Sequence, residues 1–425
     1  MKPTLNQQPE QAHSRWRTLQ KLGELALTHL ATFAFPLVFA VVCGRTLGLY
    51  DYGVVSIYTA LCAFLGVVVE FGFDWHGIRE VSPARHKPAH CHRVVWNITA
   101  ARLLVCGAVA VVAGAVLLLR RPWTEIPLMV ASAAFMVGFA LDTSWYLRAQ
   151  ERIRTLLAIT VSIRLAGIGL LLWLVQEPGD LLGAVWCYAV ISLSTSGLSW
   201  LLLWRQGLAS RQRTDLRYIV QLMRQAWVIL LGNLNGALLT NGGVALLGLI
   251  GTPETVGAAN LALRVKMAGQ ALLLPLNQLA YVRITALAPQ SPHAAVALAR
   301  KALIALMVVA VAAAVGLLFA AGPISTGVFK APTPLAESLI LLAALSIPMN
   351  AASNLFGMQS LIAFGAERAY ALALLCASVV FAALLILQGD GLAYGWALVA
   401  AEACTLVLTA LCLRHVVAQR FLRTA

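Results

Sequence analysis

Charged residues are scarce in this chain: Asp, Glu, Lys and Arg make up 11% of its 425 residues, whereas 60% are hydrophobic. A soluble globular domain carries about 25% charged residues, so this scarcity excludes an ordinary soluble enzyme. Acidic residues are the rarer sign, with 17 Asp and Glu against 31 Lys and Arg, which gives a formal net charge of +14. We expect the excess positive charge in loops or beside water, because an ionised side chain facing lipid costs about 3 kcal/mol or more.

Paired cysteines and nucleotide-binding motifs are also missing. The eight cysteines are scattered singly, without a CxxC pair, so neither a disulfide framework nor a zinc ribbon is indicated. The sequence has no Walker motif, no Rossmann glycine pattern and no HExxH motif. We therefore expect no enzyme activity, no cofactor, no metal and no nucleic-acid partner. The loop that contains His86, His90, Cys91 and His92 is interpreted as a basic loop rather than a metal site.

Long apolar runs make up most of the chain. Runs of about 20 residues recur, and a helix of that length crosses the hydrocarbon core of a bilayer. The sequence therefore predicts an all-α membrane protein with twelve transmembrane helices. Pro275 and Pro348 predict bends in the spans that contain them. The predicted spans are residues 22–44, 53–73, 94–119, 126–147, 155–175, 181–204, 227–250, 256–287, 302–321, 336–364, 369–388 and 392–413.

The distribution of basic residues predicts the orientation of these spans. On the side that holds both termini the loops and tails carry 23 Lys and Arg, the opposite loops carry 4, and the spans carry the other 4. Basic loops stay in the cytoplasm, so both termini are predicted to be cytoplasmic. The longest connection on that side, residues 205–225, is basic and amphipathic. It is predicted to link an N-terminal lobe (1–204) to a C-terminal lobe (226–425), with six helices in each.

A faint internal repeat supports the division into two lobes. The second span begins in LGLYDYGVVSIYTAL (residues 47–61), and the eighth begins in IGTPETVGAANLAL (residues 250–263). Each copy has an apolar residue and glycine, a short polar turn, and then glycine and an alanine-containing helix start. Six crossings separate the copies, so both lie at the same face of the membrane. This pattern predicts a parallel repeat about an axis along the membrane normal.

Four basic residues lie deep within the predicted spans. Arg102, Arg164, Arg264 and Lys266 are expected about 13–17 Å from the nearer surface, close to the middle of a core of about 30 Å. Ionised groups at this depth face a cavity by default, and positive charge there would attract an anionic substrate. The alternative is that each base neutralises a nearby acid for packing.

The two basic residues of the eighth span point in opposite directions. Lys266 shares a helical face with Gln270 and Asn277, whereas Arg264 lies nearly opposite. We predict that the face of Lys266 lines the cavity between the lobes. Arg264 is a further candidate for substrate binding, or pairs with an acid within its own lobe.

Acidic and carboxamide side chains within or beside the spans are the other candidate site residues. Glu70, Asp74 and Asp142 are candidates for coupling to a proton or sodium gradient, or are partners of the bases. Carboxamides serve as sugar contacts or as hydrogen-bonding links between helices. The candidates for sugar contacts are Asn233, Asn350 and Asn354.

Several segments resemble the Wzx-type polysaccharide flippases, which belong to the multidrug/oligosaccharidyl-lipid/polysaccharide exporter superfamily. GRTLGLYDYGVVSIYTAL and EFGFDWHGIREVSPAR resemble their first helix exit, second helix and first inner loop. DTSWYLRAQERIRTLLAITVSIRL resembles their fourth and fifth helices, and IPMNAASNLFGMQSLIAFG their tenth. Residues at positions that recur in the family are Arg45, Gly72, Arg79 and Arg264.

The resemblance implies a V-shaped, MATE-like fold with a central cavity that opens alternately to either side. The implied cargo is an oligosaccharide on undecaprenyl pyrophosphate, moved across the bacterial cytoplasmic membrane for the assembly of O-antigen, capsule or exopolysaccharide. Membrane lipids and the polysaccharide polymerase machinery are the other implied partners. Arg102, Arg164 and Lys266 would hold the pyrophosphate, because cationic groups in a wet cavity stabilise it at mid-depth.

Other functions remain open from the sequence. A drug/cation antiporter of the same superfamily would need a cavity rich in carboxylates, whereas the charges within these spans are mainly positive. A peptidoglycan-precursor flippase typically has more than twelve helices. A membrane scaffold or glycosyltransferase would need a soluble catalytic segment, which we do not find in the sequence.

Overall fold

The computed structural model describes the backbone of residues 8–120, 122–207 and 214–424, and the side chains of residues 34–119, 122–207 and 214–419. Within these ranges all regular secondary structure is helical, and ten stretches are long and apolar enough to cross a membrane. The prediction of an all-α membrane protein is therefore confirmed. The helices are α1 (Gln8–Glu70), α2 (Phe73–Val81), α3 (Pro88–Arg120), α4 (Ile126–Leu141), α5 (Ser144–Ala149), α6 (Ile153–Leu174), α7 (Leu181–Arg205), α8 (Leu216–Ala237), α9 (Gly243–Ile250), α10 (Pro253–Ala271), α11 (Leu274–Leu287), α12 (Pro292–Phe329), α13 (Pro334–Asn354), α14 (Glu367–Gln388) and α15 (Gly391–Thr424).

The helix α1 consists of two limbs joined at Gly48. Gly48 has φ 82° and ψ 178°, a backbone conformation that glycine adopts without steric cost. Pro36 in the first limb and Ala63 in the second line the same cavity, which a straight helix would place about 40 Å apart. The chain therefore turns back at Gly48, between the first two predicted spans.

The number of spans is not fixed by hydropathy alone. Residues Ala34–Glu70 qualify as a single stretch although they contain the turn at Gly48. The predicted span 256–287 consists of α10 and α11, and the chain leaves the helical path just before Pro275, where a bend was predicted. Neither of these helices qualifies by itself. Ten stretches qualify in the described residues, so the count of twelve stays a prediction.

The two copies of the internal repeat pack directly against each other. A Cβ atom on Gly53 would lie 1.8 Å from the carbonyl oxygen of Pro253, and one on Gly257 would lie 2.8 Å from that of Leu49. Both positions thus exclude any larger residue at the observed separation. We call this end of the bundle, where the second limb of α1 meets α10, the turn end.

The opposite end of the bundle joins α8 to the N-terminal helices. Residues 216–225 of the predicted linker form the start of α8, whereas residues 208–213 lie outside the described residues. Ile219 and Leu222 are buried against α2, α3 and α5, while Arg217 and Arg224 are exposed. This half of the predicted linker is therefore an amphipathic helix that packs on the N-terminal helices. We call this end, formed by α2, α5 and the starts of α3 and α8, the basic end.

Hydrogen bonds fix the start of α8 in this position. The carboxylate of Asp215 accepts hydrogen bonds from the backbone amides of Arg217 (2.9 Å) and Tyr218 (3.4 Å), which caps the helix. The amide of Asp215 donates to Asn97 Oδ1 in α3 at 2.8 Å, and the hydroxyl of Tyr218 donates to Glu80 in α2 at 2.6 Å. The basic end is thus held by polar contacts as well as by its apolar core.

Candidate substrate site

A cavity of about 360 Å³ lies between helices of the two predicted lobes. Its walls come from both limbs of α1 and from α4, α6 and α7, together with Asn241 and Arg264 from the second half of the chain. It begins at Thr59, nearly two helical turns from the close contact at Gly53, and extends to Glu70 at the end of α1. Eleven residues of helix separate these positions, so the cavity is about 16 Å long.

Arg164 lines the cavity at mid-depth. It follows the start of α6, at Ile153, by eleven residues, which places it about 16 Å from the basic end. Its guanidinium carbon lies 5.3 Å from the centre of the Phe35 ring, a distance typical of a cation–π contact. Among the described residues Arg164 has no carboxylate within ion-pairing distance. Its charge is therefore available to a ligand in the cavity.

Arg264, on α10 in the second half of the chain, also lines the cavity and is 8% exposed. Its Nη2 donates a hydrogen bond to Asn241 Oδ1 at 3.1 Å, and Nη1 lies 3.8 Å from the sulfur of Met267. In the described part of the chain it also lacks a carboxylate partner. Tyr188 lies on the cavity wall within electrostatic reach of both Arg164 and Arg264. The two guanidinium groups therefore make the wall of this cavity cationic.

A break in helical geometry positions Asn241. Residues Leu238–Gly242 form a π-helical segment in which Thr240 has φ −120° and ψ −111°. Such a segment inserts an extra residue into the helix and redirects the side chains that follow. Asn241 is thereby turned to the cavity wall, where it holds Arg264. The sequence signal for this break is the pair of glycines that follows Asn241.

Two carboxylates line the end of the cavity nearest the basic end. Asp142 follows α4 and accepts hydrogen bonds from the amide (3.0 Å) and hydroxyl (2.7 Å) of Ser144, so that it caps α5. Glu70 ends the second limb of α1. The cavity is therefore polarised, with arginines at mid-depth and carboxylates toward the basic end.

Arg102 does not line this cavity, and the prediction that places it there is wrong for this conformation. It is 1% exposed and forms an ion pair with Asp74, whose other oxygen accepts a hydrogen bond from Arg148 at 2.7 Å. Its Nη1 donates to the backbone carbonyl of Asp142 at 2.6 Å. Arg102 thus ties α3 to α2 and to the end of α4, and Asp74 is neutralised by two guanidinium groups.

The structure also reverses the predicted roles of the two faces of α10. Lys266 is 4% exposed, and its Nζ donates to Glu402 Oε1 at 2.8 Å. The amide of Asn350 donates to both oxygens of Glu402, at 3.1 and 3.2 Å. Lys266 therefore pairs with an acid inside the C-terminal helices, whereas Arg264 faces the cavity.

The three carboxamides predicted to contact sugars do not line the described cavity. Asn350 holds Glu402, which is the linking role that was the alternative for it. Asn233 and Asn354 are half-buried and are not among the residues that line it. The cavity wall is polar instead through hydroxyl groups on α7, which hydrogen-bond to backbone carbonyls and keep oxygen lone pairs available. These residues are Ser192, Thr195 and Ser196.

Comparison of the whole chain with known proteins gives matches in sequence and in fold. Residues 18–282 match the family described as Polysaccharide biosynthesis protein. A protein of Shigella dysenteriae named "Putative O-antigen transporter" is 22% identical, over 62% of this chain and 66% of that protein, just under two thirds of its length. A protein of Escherichia coli K12 with the same name is 21% identical, over 84% of this chain and 86% of that protein.

Solved structures share the arrangement of helices at low sequence identity. The lipid II flippase MurJ, in an inward closed conformation, has a TM-score of 0.70 at 11% identity, over 91% of this chain and 87% of that one. An inward-facing multidrug transporter of the MATE family has a TM-score of 0.68 at 11% identity, over 90% of this chain and 94% of that one. The prediction of a MATE-like fold is confirmed.

Proposed function

Because this chain belongs to the polysaccharide biosynthesis protein family, we propose that it is a flippase for oligosaccharides linked to a membrane lipid. The cargo is an oligosaccharide on undecaprenyl pyrophosphate, carried from the inner to the outer leaflet of the bacterial cytoplasmic membrane. Both termini lie in the cytoplasm, and the protein performs no chemical reaction on its cargo. It supplies the polymerase machinery for O-antigen, capsule or exopolysaccharide. The family match, the two relatives and the likeness to the fold of a lipid II flippase support this proposal.

The observation that carries the proposal is a pair of arginines on the cavity wall that have no carboxylate partner among the described residues. Arg164 lines the cavity from the N-terminal half of the chain and Arg264 from the C-terminal half, and Tyr188 lines the same cavity. A diphosphate that leaves water needs strong donors, and guanidinium groups make charge-assisted hydrogen bonds to phosphate oxygens. In this mechanism the two arginines hold the pyrophosphate at mid-depth while its lipid tail stays in the bilayer.

The residues that we propose for the pyrophosphate site differ from those that the sequence predicted. Arg102 and Lys266 each have an acidic partner, so their charge is neutralised before any substrate arrives. Arg264 replaces them beside Arg164. The hydroxyls of Ser192 and Ser196, with Asn241, are the proposed sugar contacts in this conformation. Sugar contacts by Asn233 and Asn354 stay predictions.

Transport by alternating access fits the closed turn end. In this conformation the lobes are in contact at Gly53 and Gly257, and the cavity extends toward the basic end. The proposed cycle opens the turn end and closes the basic end, which carries the bound headgroup to the other leaflet. Glu70 and Asp142 are the proposed sites for a driving proton or sodium ion, because they line the cavity where it approaches the basic end.

The test is replacement of both arginines by glutamine in the organism that makes the polysaccharide. Arg164→Gln with Arg264→Gln is expected to stop surface polysaccharide while the protein reaches the membrane in normal amount. The matched control is Arg164→Lys with Arg264→Lys, which keeps both charges and is expected to retain part of the activity. Normal polysaccharide in the glutamine variant would refute the cationic site.

A drug/cation antiporter is the second candidate, and the two carboxylates in the cavity favour it. A cationic drug would bind near Glu70 and Asp142 and would be repelled by the arginines. A strain without the protein distinguishes the two functions. We expect it to lose surface polysaccharide and to keep its drug resistance, whereas an antiporter would give the opposite result.

A further inference from the structure

A second cavity lies on the outside of the N-terminal helices, separated from the substrate site by one layer of helix. It has a volume of about 410 Å³ and is bounded by the second limb of α1, by α3 and by α4. Phe135 faces the substrate site and its neighbour Met136 faces this second cavity. We call it the α3 slot. The two cavities share no lining residue, so the slot is separate from the proposed pyrophosphate site.

The α3 slot has a buried floor and an exposed rim. Its floor is formed by Cys62, Leu117 and Met136, which are 3%, 6% and 4% exposed. Its rim includes Leu118, Trp123 and Val130, which are 44%, 75% and 55% exposed. The slot therefore opens sideways, away from the interior of the protein.

The slot exists because the residues that α3 presents to it are glycine and alanine, which have little or no side chain. A Cβ atom on Gly114 would meet no atom within 4 Å, so α3 stands away from α1 and α4 at this level. Ala110 and Ala113 line the slot on the same helix and add little volume. Close packing is the rule in protein interiors, so a gap of this size between packed helices calls for an occupant.

The surroundings of the slot determine the chemistry of its occupant. Residues 103–119 of α3 contain no charged residue, and their side chains point largely outward. The same helix qualifies as a membrane span, as does the stretch that contains α4. The slot therefore opens into hydrocarbon, and burying an apolar chain in it increases van der Waals contact at no cost in polar groups.

The length of the slot matches one leaflet. Its lining residues on α4 run from Ile126 to Met136, which is about 15 Å of helix and half of a hydrocarbon core of about 30 Å. Trp123, a residue type that favours the membrane interface, lies at one end of it. A phospholipid acyl chain has this length, whereas a long polyprenyl chain extends far beyond it.

From these observations we propose that the α3 slot binds one acyl chain of a membrane phospholipid, with the lipid headgroup at the turn end beside Trp123. The lipid fills the gap between α3 and the pair α1 and α4. It remains with the N-terminal helices through the transport cycle, because every wall of the slot comes from residues 58–136. This inference does not depend on the identity of the transported cargo.

Native mass spectrometry of the full-length protein tests this proposal. Gly114→Leu places a side chain in the slot, and retention of co-purified phospholipid is expected to fall about tenfold, because leucine takes the space of several methylene groups. Gly107→Leu is the matched control: it lies two turns away on the same face of α3, also meets no atom within 4 Å, and does not line the slot. It is expected to retain the lipid. Ala133→Leu fills the slot from α4 and replaces Gly114→Leu if that variant does not fold.

Photo-crosslinking identifies the source of the chain. Phosphatidylethanolamine with a diazirine near the end of one acyl chain is expected to label peptides 110–118 and 126–136 in the wild-type protein and not in Gly114→Leu. A polyprenyl phosphate with the same group forms the second arm. Preferential labelling of these peptides by the polyprenyl probe would overturn the assignment to a phospholipid. Equal lipid retention in Gly114→Leu and Gly107→Leu, or labelling no stronger than elsewhere on α3, would overturn the site itself.

Discussion

Asn260 and Ser56 occupy equivalent positions in the two copies of the internal repeat, and they are hydrogen-bonded to each other. The amide of Asn260 donates to the hydroxyl of Ser56 at 2.7 Å across a separation of 204 residues. The same offset relates Gly53 to Gly257, and each of these glycines lies against a carbonyl of the other copy. The contact is therefore nearly self-complementary, as expected at a two-fold axis.

This relationship predicts that a methyl group at the contact will hold the turn end open. In Gly53→Ala the new Cβ would lie 1.8 Å from the carbonyl of Pro253, so the lobes cannot approach to the observed distance. The reporter is Ser56→Cys, treated with a membrane-impermeant maleimide on the side of the membrane where the turn end lies. We expect it to react several times faster when combined with Gly53→Ala than when Gly53 is retained. Gly316→Ala, where a Cβ meets no atom within 4 Å, is the control and should leave the rate unchanged. Equal rates in the two variants would show that this contact is not the closure.

A second prediction concerns the charge of the cationic site. Asn241→Asp places a carboxylate at the position that now accepts a hydrogen bond from Arg264. The new ion pair would neutralise the arginine, so we expect polysaccharide export to fall as far as in Arg264→Gln. Asn241→Leu removes the hydrogen bond without adding charge and should reduce export less. If the aspartate variant exports normally, the charge of Arg264 does not act on the cargo.

The buried pair in the C-terminal helices should support stability and not cargo binding. Lys266→Met leaves the carboxylate of Glu402 with Asn350 as its one hydrogen-bond partner among the described residues, and breaking a buried ion pair costs about 3–5 kcal/mol. We expect a clear fall in the thermal midpoint of the protein in detergent. The double variant Lys266→Met with Glu402→Leu removes both charges and should recover stability and export together. If the double variant is stable but does not export polysaccharide, Lys266 acts on the cargo and not only on stability.

The network around Asp74 leads to a similar prediction at the basic end. Asp74→Asn removes the carboxylate that pairs with the buried guanidinium of Arg102, whose other hydrogen bond among the described residues goes to the backbone carbonyl of Asp142. The free energy of unfolding should fall by about 3–5 kcal/mol, which lowers the thermal midpoint. Arg148→Gln removes the other, exposed partner of Asp74 and should cost about 1 kcal/mol or less. Similar midpoints for the two variants would contradict the unequal roles assigned to the two arginines.

The sequence was sufficient to predict the helical membrane architecture and the family. The lengths of the apolar runs predict the membrane helices, because a span needs about 20 mainly apolar residues. The positions of Gly and Pro predict where these helices turn or bend. The resemblance to polysaccharide flippases is confirmed by the family match over residues 18–282. The repeat at residues 47–61 and 250–263 is weak in sequence, yet its two copies lie in contact.

The pairing of the deep charges could not be predicted in the same way. Arg102 and Arg164 have similar depth and similar neighbours in sequence. Among the described side chains only Arg102 pairs with an acid, which is 28 residues away on another helix. Lys266 meets its partner across 136 residues. The periodicity of α10 correctly placed Arg264 and Lys266 on opposite faces. It could not say which face borders the cavity, because both faces carry polar residues.

The reciprocal contact between the repeat copies also constrains how the pathway can open. Gly53 lies against a carbonyl of the second copy, and Gly257 lies against a carbonyl of the first. A motion that separates one of these contacts therefore separates the other at the same time. A gradual separation of the two copies that starts at one side of this contact is therefore disfavoured. Release at the turn end should therefore separate Ser56 from Asn260 in the same concerted movement that separates the two glycines.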